Sequence, residues 1–161
     1  MNKQAKNYLL IVLLSFLIIL LSIILTFSWS DDGTNPANVD GCNELNTTNG
    51  VYTLTADVTN YKTCFTIEAN NITLNCAGHI INYSSNGTTG YGVYSTYNFT
   101  TIKNCVIKEG STAGSSKYAI YFNGAEKGFI NNNTIRTIDT NGFGVYLYSG
   151  SNHNIISNNN I

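Results

Sequence analysis

From Val51 onward, apolar residues come singly between polar ones, in short runs broken by Gly, Asn and Ser. VYTLTADV (Val51–Val58) alternates strictly, and Cys64–Ile67, Ile72–Leu74 and Ile80–Ile81 are shorter runs of the same kind. Alternation with a period of two predicts strands, and no stretch here carries a helical period. The runs also recur. FTTIKNCVI (Phe99–Ile107) returns as FINNNTI (Phe129–Ile135) and as IISNNNI (Ile155–Ile161). Ile102, Ile130 and Ile156 are 28 and 26 residues apart (102 to 130, 130 to 156), and Leu74 lies another 28 before Ile102. A repeat in the twenties built only of short strands predicts an all-β solenoid, a parallel β-helix whose coils stack on one another.

A second phrase recurs between these rungs: YGVYST (Tyr91–Thr96), YAIYFN (Tyr118–Asn123) and FGVYLY (Phe143–Tyr148). Alternation divides it into two sets. The set holding the aliphatic positions is expected inside: Tyr91/Tyr118/Phe143, Val93/Ile120/Val145 and Ser95/Phe122/Leu147. The other set is expected outside: Gly92/Ala119/Gly144 and Tyr94/Tyr121/Tyr146. In the rungs, Ile102/Ile130/Ile156 and Ile107/Ile135/Ile161 are expected in the core. Asn104/Asn132/Asn158 between them suit a left-handed bend and a ladder of stacked amides. Loops are expected at Ser84–Gly90, Gly110–Lys117 and Thr137–Gly142. The last rung stops on the core position Ile161, so the solenoid at 50–161 is expected to continue past it.

The N-terminus departs from this pattern. Lys3 and Lys6 precede an apolar run, Leu9–Phe27, broken only by Ser15, Ser22 and Thr26. A positive start followed by an apolar core is an export signal, and this run is long enough to span a bilayer as a helix. Residues 1–30 are therefore read as either a signal peptide, cut before Asp31, or an uncleaved membrane anchor. Either leaves the lysines cytoplasmic and the remainder exported to the cell surface or beyond. Residues 31–49 are polar and without period, a linker running into a cap.

Composition agrees with a strand-rich exported chain. Charged residues are 11% with a net charge of −1, which excludes the clustered Lys/Arg that nucleic-acid binding needs. Export makes disulfides the natural use of the four cysteines, and the spacing of Cys and His matches no metal site. Among three possible pairings, Cys42–Cys64 would tie the first irregular segment to the first coil. Stacking would then bring Cys76 near Cys105, which form a second bond or remain two buried thiols.

GVYTLTADV (Gly50–Val58), CFTIEANNITLNCAGHII (Cys64–Ile81) and the later N-N-x-I rungs resemble the right-handed parallel β-helix proteins of the pectin-lyase-like superfamily. The nearest likeness is to exported archaeal and bacterial repeat proteins. The resemblance covers about residues 41–161. It implies the fold, whereas function within that superfamily runs from polysaccharide lyases and hydrolases to adhesins.

The candidate chemistry is sparse. Tyr94, Tyr121 and Tyr146 form an expected outward shelf with a shallow groove beside it, made by Gly92, Ala119 and Gly144. Sugar rings stack on such aromatic faces through their axial C–H groups; alternatively, the rings support one another. Lys108 over Arg136, with Glu109 and Asp139 nearby, could hold a uronate or could be a solvated corner. No catalytic residue, cofactor or metal is assigned. The sequence shows no Asp pair or His–acid combination of the kind a glycosidase uses. His79 reads as a turn residue, and His153 as the start of a strand without a partner. Asn46, Asn82 and Asn86 meet N-x-[ST] in expected loops and could carry glycans; Asn71 and Asn132 match within rungs. The expected function is an exported recognition or adhesion module contacting carbohydrate. The alternatives are the non-catalytic start of a polysaccharide-modifying enzyme and a structural envelope protein.

Overall fold

The computed structural model describes residues 36–161, and these form an all-β parallel solenoid. The expected signal or membrane segment, including Leu9–Phe27, lies outside the described residues. A partial coil holds β1 (Pro36–Val39) and β2 (Glu44–Leu45). Four complete coils follow: β3–β5 (Val51–Leu54, Val58–Thr59, Phe65–Ile67), β6–β8 (Thr73–Asn75, Ile80–Tyr83, Tyr91–Ser95), β9–β11 (Thr101–Lys103, Val106–Glu109, Tyr118–Asn123) and β12–β14 (Phe129–Asn131, Thr134–Arg136, Phe143–Tyr148). β15 (Ile155–Ser157) begins another. The sheets thus start before Gly50, inside the segment whose composition resembles a linker.

Three parallel sheets result, in the orders β1-β3-β6-β9-β12-β15, β4-β7-β10-β13 and β2-β5-β8-β11-β14; we call them A, C and B, the order in which each coil visits them being A, C, B. Equivalent main-chain bonds join successive coils. Thr73 N–H donates to Gly50 O, Thr101 to Ile72, Phe129 to Thr100 and Ile155 to Gly128, all between 2.8 and 2.9 Å.

This pairing stacks the apolar positions in columns. Tyr52, Leu74, Ile102, Ile130 and Ile156 lie in one column of sheet A, and Val58, Ile81, Ile107 and Ile135 in one of sheet C. Phe65, Val93, Ile120 and Val145 form the column facing them from sheet B. β-Branched side chains suit such columns because their one favoured rotamer packs on the pleated neighbour. At the upper end Ile156 and Ile161 are exposed.

Left-handed residues bound sheet A in each coil. Asn49, Asn71, Phe99, Lys127 and His153 enter it with φ of 56° to 64°, and Ala77, Asn104, Asn132 and Asn158 leave it with φ of 50° to 57°. The amide ladder runs along the exit: Asn132 Nδ2 donates to Asn104 Oδ1, and Asn104 Nδ2 to Asn75 Oδ1, both at 2.8 Å. Beside it, Asn133 is buried. Its Oδ1 accepts from Cys105 N–H at 2.9 Å and its Nδ2 donates to Ile102 O at 3.0 Å.

Both disulfides form, Cys42–Cys64 and Cys76–Cys105, with Cα atoms 4.6 and 4.7 Å apart. The second settles the open choice between bond and free thiols. Each ties one coil to the next, and bonds of this kind persist in oxidising compartments, consistent with an extracellular protein.

One expectation about sidedness fails. Gly92 and Ala119 are buried, and Tyr91, Tyr118 and Phe143 point outward, with Phe143 51% exposed. The chain turns from sheet C into sheet B here, so two consecutive residues (Gly92 and Val93, Ala119 and Ile120) both enter the core. The inner corner is tight. A Cβ on Gly92 would stand 2.5 Å from both Ile107 Cγ2 and Ala119 O. Gly92→Val is therefore expected to destabilise by about 1–3 kcal/mol through overpacking. Thermal unfolding checks this, and an unchanged midpoint would return Gly92 to the surface.

Candidate functional site

The outward face of sheet B carries the strongest concentration of chemistry. Register places Tyr91, Tyr118 and Phe143 in one column and Tyr94, Tyr121 and Tyr146 in the next. Ring centroids within a coil are 5.6 Å apart for Tyr91–Tyr94, 5.5 Å for Tyr118–Tyr121 and 5.3 Å for Phe143–Tyr146. Between coils they are 5.3 Å apart along the second column and 5.5–5.7 Å along the first. Diagonal pairs are closer still, 5.0 Å for Tyr91–Tyr121 and 4.7 Å for Tyr118–Tyr146. Tyr148 extends the array from Tyr146 at 5.8 Å.

The expected shelf of three tyrosines is thus a lattice of seven rings. The groove expected beside it does not exist, because the small residues that were to form it face inward. Ring planes range from nearly parallel (12°, Tyr91–Tyr118) to edge-on (77°, Tyr118–Tyr121), so the rings support one another. No side chain in the lattice is charged. Asn123 Nδ2 donates to Tyr94 Oη at 3.4 Å. Burial, then the neighbouring tyrosines, pushes the hydroxyls of Tyr91 and Tyr121 above the ordinary phenol value. Down the second column Tyr94 gives way to Thr66 and then Glu44, where the face becomes polar.

On sheet C, Lys108 and Arg136 stack as expected and are exposed. Glu109 is not with them. It points into the solenoid, where its Oε1 is 2.5 Å from Lys117 Nζ and neither side chain is exposed. Its Oε2 accepts from the N–H groups of Ile138 and Asp139 at 2.8 and 3.1 Å. Lys117 Nζ also donates to Ser111 O and to Ala113 O, the latter at 2.7 Å. Oε2 is thus satisfied by two amides and Lys117 by two carbonyls, while Oε1 has the lysine as its ion partner and no hydrogen bond; together the pair clamps two successive loops. The acid arm of a uronate site at Lys108/Arg136 is therefore spent on structure.

A His–acid pair is present after all. His79 Nδ1 lies 3.3 Å from Asp57 Oδ1, which also accepts from Ile80 N–H at 2.9 Å. That backbone bond, with His79, holds the Asp57 carboxyl below the ordinary value. The two residues are 22 apart, the span from Val51 to its partner Thr73, and that spacing was the available signal. His153 occupies a left-handed turn rather than a strand start. Asn46 and Asn86 are exposed in loops, whereas Asn82 lies in β7 beneath Lys108 and is half-buried. A cleft of about 410 Å³ opens by Gly78, Val106 and Thr134, but the amides of Asn104 and Asn132 that line it are engaged in the ladder. Among the described residues no group of three or more His, Cys, Asp or Glu could hold a metal. Comparison with protein-family models, curated proteins and solved structures finds no match.

Removing Lys117 strands a buried carboxylate, so Lys117→Met is expected to cost about 3–5 kcal/mol in chemical denaturation. Adding Glu109→Gln, which keeps the acceptor but drops the charge, should recover more than half. The phenols give a pH dependence. Tyr83, buried and facing the carboxylates of Glu109 and Asp139, is raised by burial first and those charges second. With Tyr91 and Tyr121, it keeps a proton in the folded chain that the unfolded chain releases near pH 10. The phenols' contribution to stability is expected to be level below about pH 10 and to fall above it, less steeply in Tyr83→Phe. Thermal melts across that range check both.

Proposed function

We propose that this chain is an exported, right-handed β-helix of the pectin-lyase-like kind that recognises carbohydrate through the aromatic face of sheet B. The observation carrying this reading is the seven-ring lattice itself: contiguous, half-exposed and uncharged. Contiguous exposed apolar surface on a folded domain marks contact with a partner. Phenolic hydroxyls at the rim add donors and acceptors suited to a polyol, and tyrosine loses little conformational freedom on binding. The two disulfides and the N-terminal sequence of lysines before Leu9–Phe27 support export, as a secreted or membrane-held protein.

A second reading, the start of a polysaccharide-modifying enzyme, draws on the Asp57–His79 pair on the rim of sheet C, where the charge of Lys108 reaches Asp57. The first reading rests on more side chains. Affinity electrophoresis or a glycan array with the full chain tests it. Tyr121→Ala is expected to weaken binding at least about tenfold, near 1.4 kcal/mol. Phe129→Ala, exposed on sheet A, is expected to leave it unchanged.

A further inference from the structure

We propose that Lys117 and Glu109 condense, forming an amide bond between Nζ and the Glu109 side chain that staples the loop between them. The proposal stands apart from the carbohydrate reading and concerns the buried end of sheet C. Three observations carry it. The first is approach. Nζ of Lys117 lies 2.5 Å from Oε1 of Glu109, and neither side chain is exposed. The carboxyl carbon is one C–O bond of about 1.2 Å further on, so Nζ stands at most about 3.7 Å from it. Atoms held at roughly 3–3.5 Å in the right orientation are already in a near-attack geometry.

The second observation is that the two carboxyl oxygens have different surroundings. Oε2 accepts from the main-chain N–H groups of Ile138 and Asp139 at 2.8 and 3.1 Å. Among the described residues Oε1 accepts no hydrogen bond. Two amides on one oxygen are the arrangement that stabilises the oxyanion of acyl transfer. Oε1, which faces the amine, is the oxygen free to leave. Nζ is itself aimed, since it donates to Ser111 O and to Ala113 O, the latter at 2.7 Å.

The third is the enclosure. A Cβ on Gly142 would stand 3.1 Å from Lys117 O and 3.2 Å from Glu109 Oε2, so main chain packs directly against the pair. A buried ion pair carries a desolvation cost that a neutral amide avoids. Tyr83 is paired with Glu109 in register. The Tyr83 hydroxyl and Asp139 Oδ2 are buried and find no hydrogen-bond partner among the described residues, so they offer the released water a donor and an acceptor.

The step balances within the pair. One ammonium proton passes to Oε1, the amine attacks Cδ, and negative charge gathers on Oε2 between its two amides. A second proton then moves from nitrogen to Oε1, the Cδ–Oε1 bond breaks and water leaves. The balance needs no co-reactant. Unlike the two disulfides, the product resists reduction.

The test is peptide mapping of the full chain by tandem mass spectrometry, with the protein unfolded and reduced before trypsin is added. Trypsin cuts after a free lysine and not after an acylated one. The expected peptide holds both Glu109 and Lys117, is uncut after Lys117 and is lighter by one water. Backbone fragments between the two residues are expected to be missing, because the ring holds them together. Lys117→Arg, which keeps the charge, is expected to restore both cleavage and full mass. Complete cleavage after Lys117 in the wild type would overturn the proposal and leave an ordinary ion pair. A lost water that persists in Lys117→Arg, or that is confined to peptides already cut after Lys117, would place the dehydration elsewhere and overturn it equally.

Discussion

Parallel main-chain hydrogen bonding between successive coils is the constraint on which everything else in this protein depends. A strand paired in parallel places each residue on its counterpart about 4.8 Å away, so whatever one coil does with a position the next must also tolerate. Isoleucine on isoleucine makes a core, amide on amide makes a ladder, and tyrosine on tyrosine makes a face. The columns of sheets A, B and C are three uses of the same rule. The Cys42–Cys64 disulfide secures the first, partial coil, Cys76–Cys105 adds a covalent tie between two coils already joined by main-chain bonds, and the Glu109–Lys117 clamp holds the loops.

How much of this could be read from the chain depended on whether a residue type has one meaning. Ile102, Ile130 and Ile156 were legible because an aliphatic column in a polar background has only the core to go to. Cys42–Cys64 was legible because export favours disulfides and this pairing ties the irregular first segment to the first coil. Gly92, Ala119 and Gly144 were not, since a small side chain looks the same whether it borders a groove or is squeezed into a corner. The clue was energetic: three tyrosine-like rings stacked inside would have buried two hydroxyls without partners, at a cost of roughly 1–3 kcal/mol each.

Charged residues were the other blind spot. Glu109 and Lys117 would normally be assigned to solvent, and their pairing depends on how the loops at 110–117 and 137–142 close over the end of sheet C. Asn132 and Asn133 show the same limit at higher resolution. They are adjacent and identical, yet one is exposed in the ladder and the other is 2% exposed, holding main-chain groups of the coil below. Asp57 and His79 became a pair only when the coil length of 22 was applied to polar residues as well as apolar ones.

The functional reading follows from the same columnar logic. A rigid solenoid can hold rings at fixed spacing at low conformational cost, and sheet B is the face where the chain does so without interruption by charge. Its claim is that these tyrosines, and not those elsewhere, meet the ligand. Tyrosine iodination footprinting by mass spectrometry, with and without the polysaccharide, measures this directly. Protection of Tyr94, Tyr118, Tyr121 and Tyr146 is expected, with Tyr61 and Tyr97, exposed but outside the lattice, modified as before. Equal modification of the lattice tyrosines in both conditions, or protection confined to Tyr61 and Tyr97, would contradict the account.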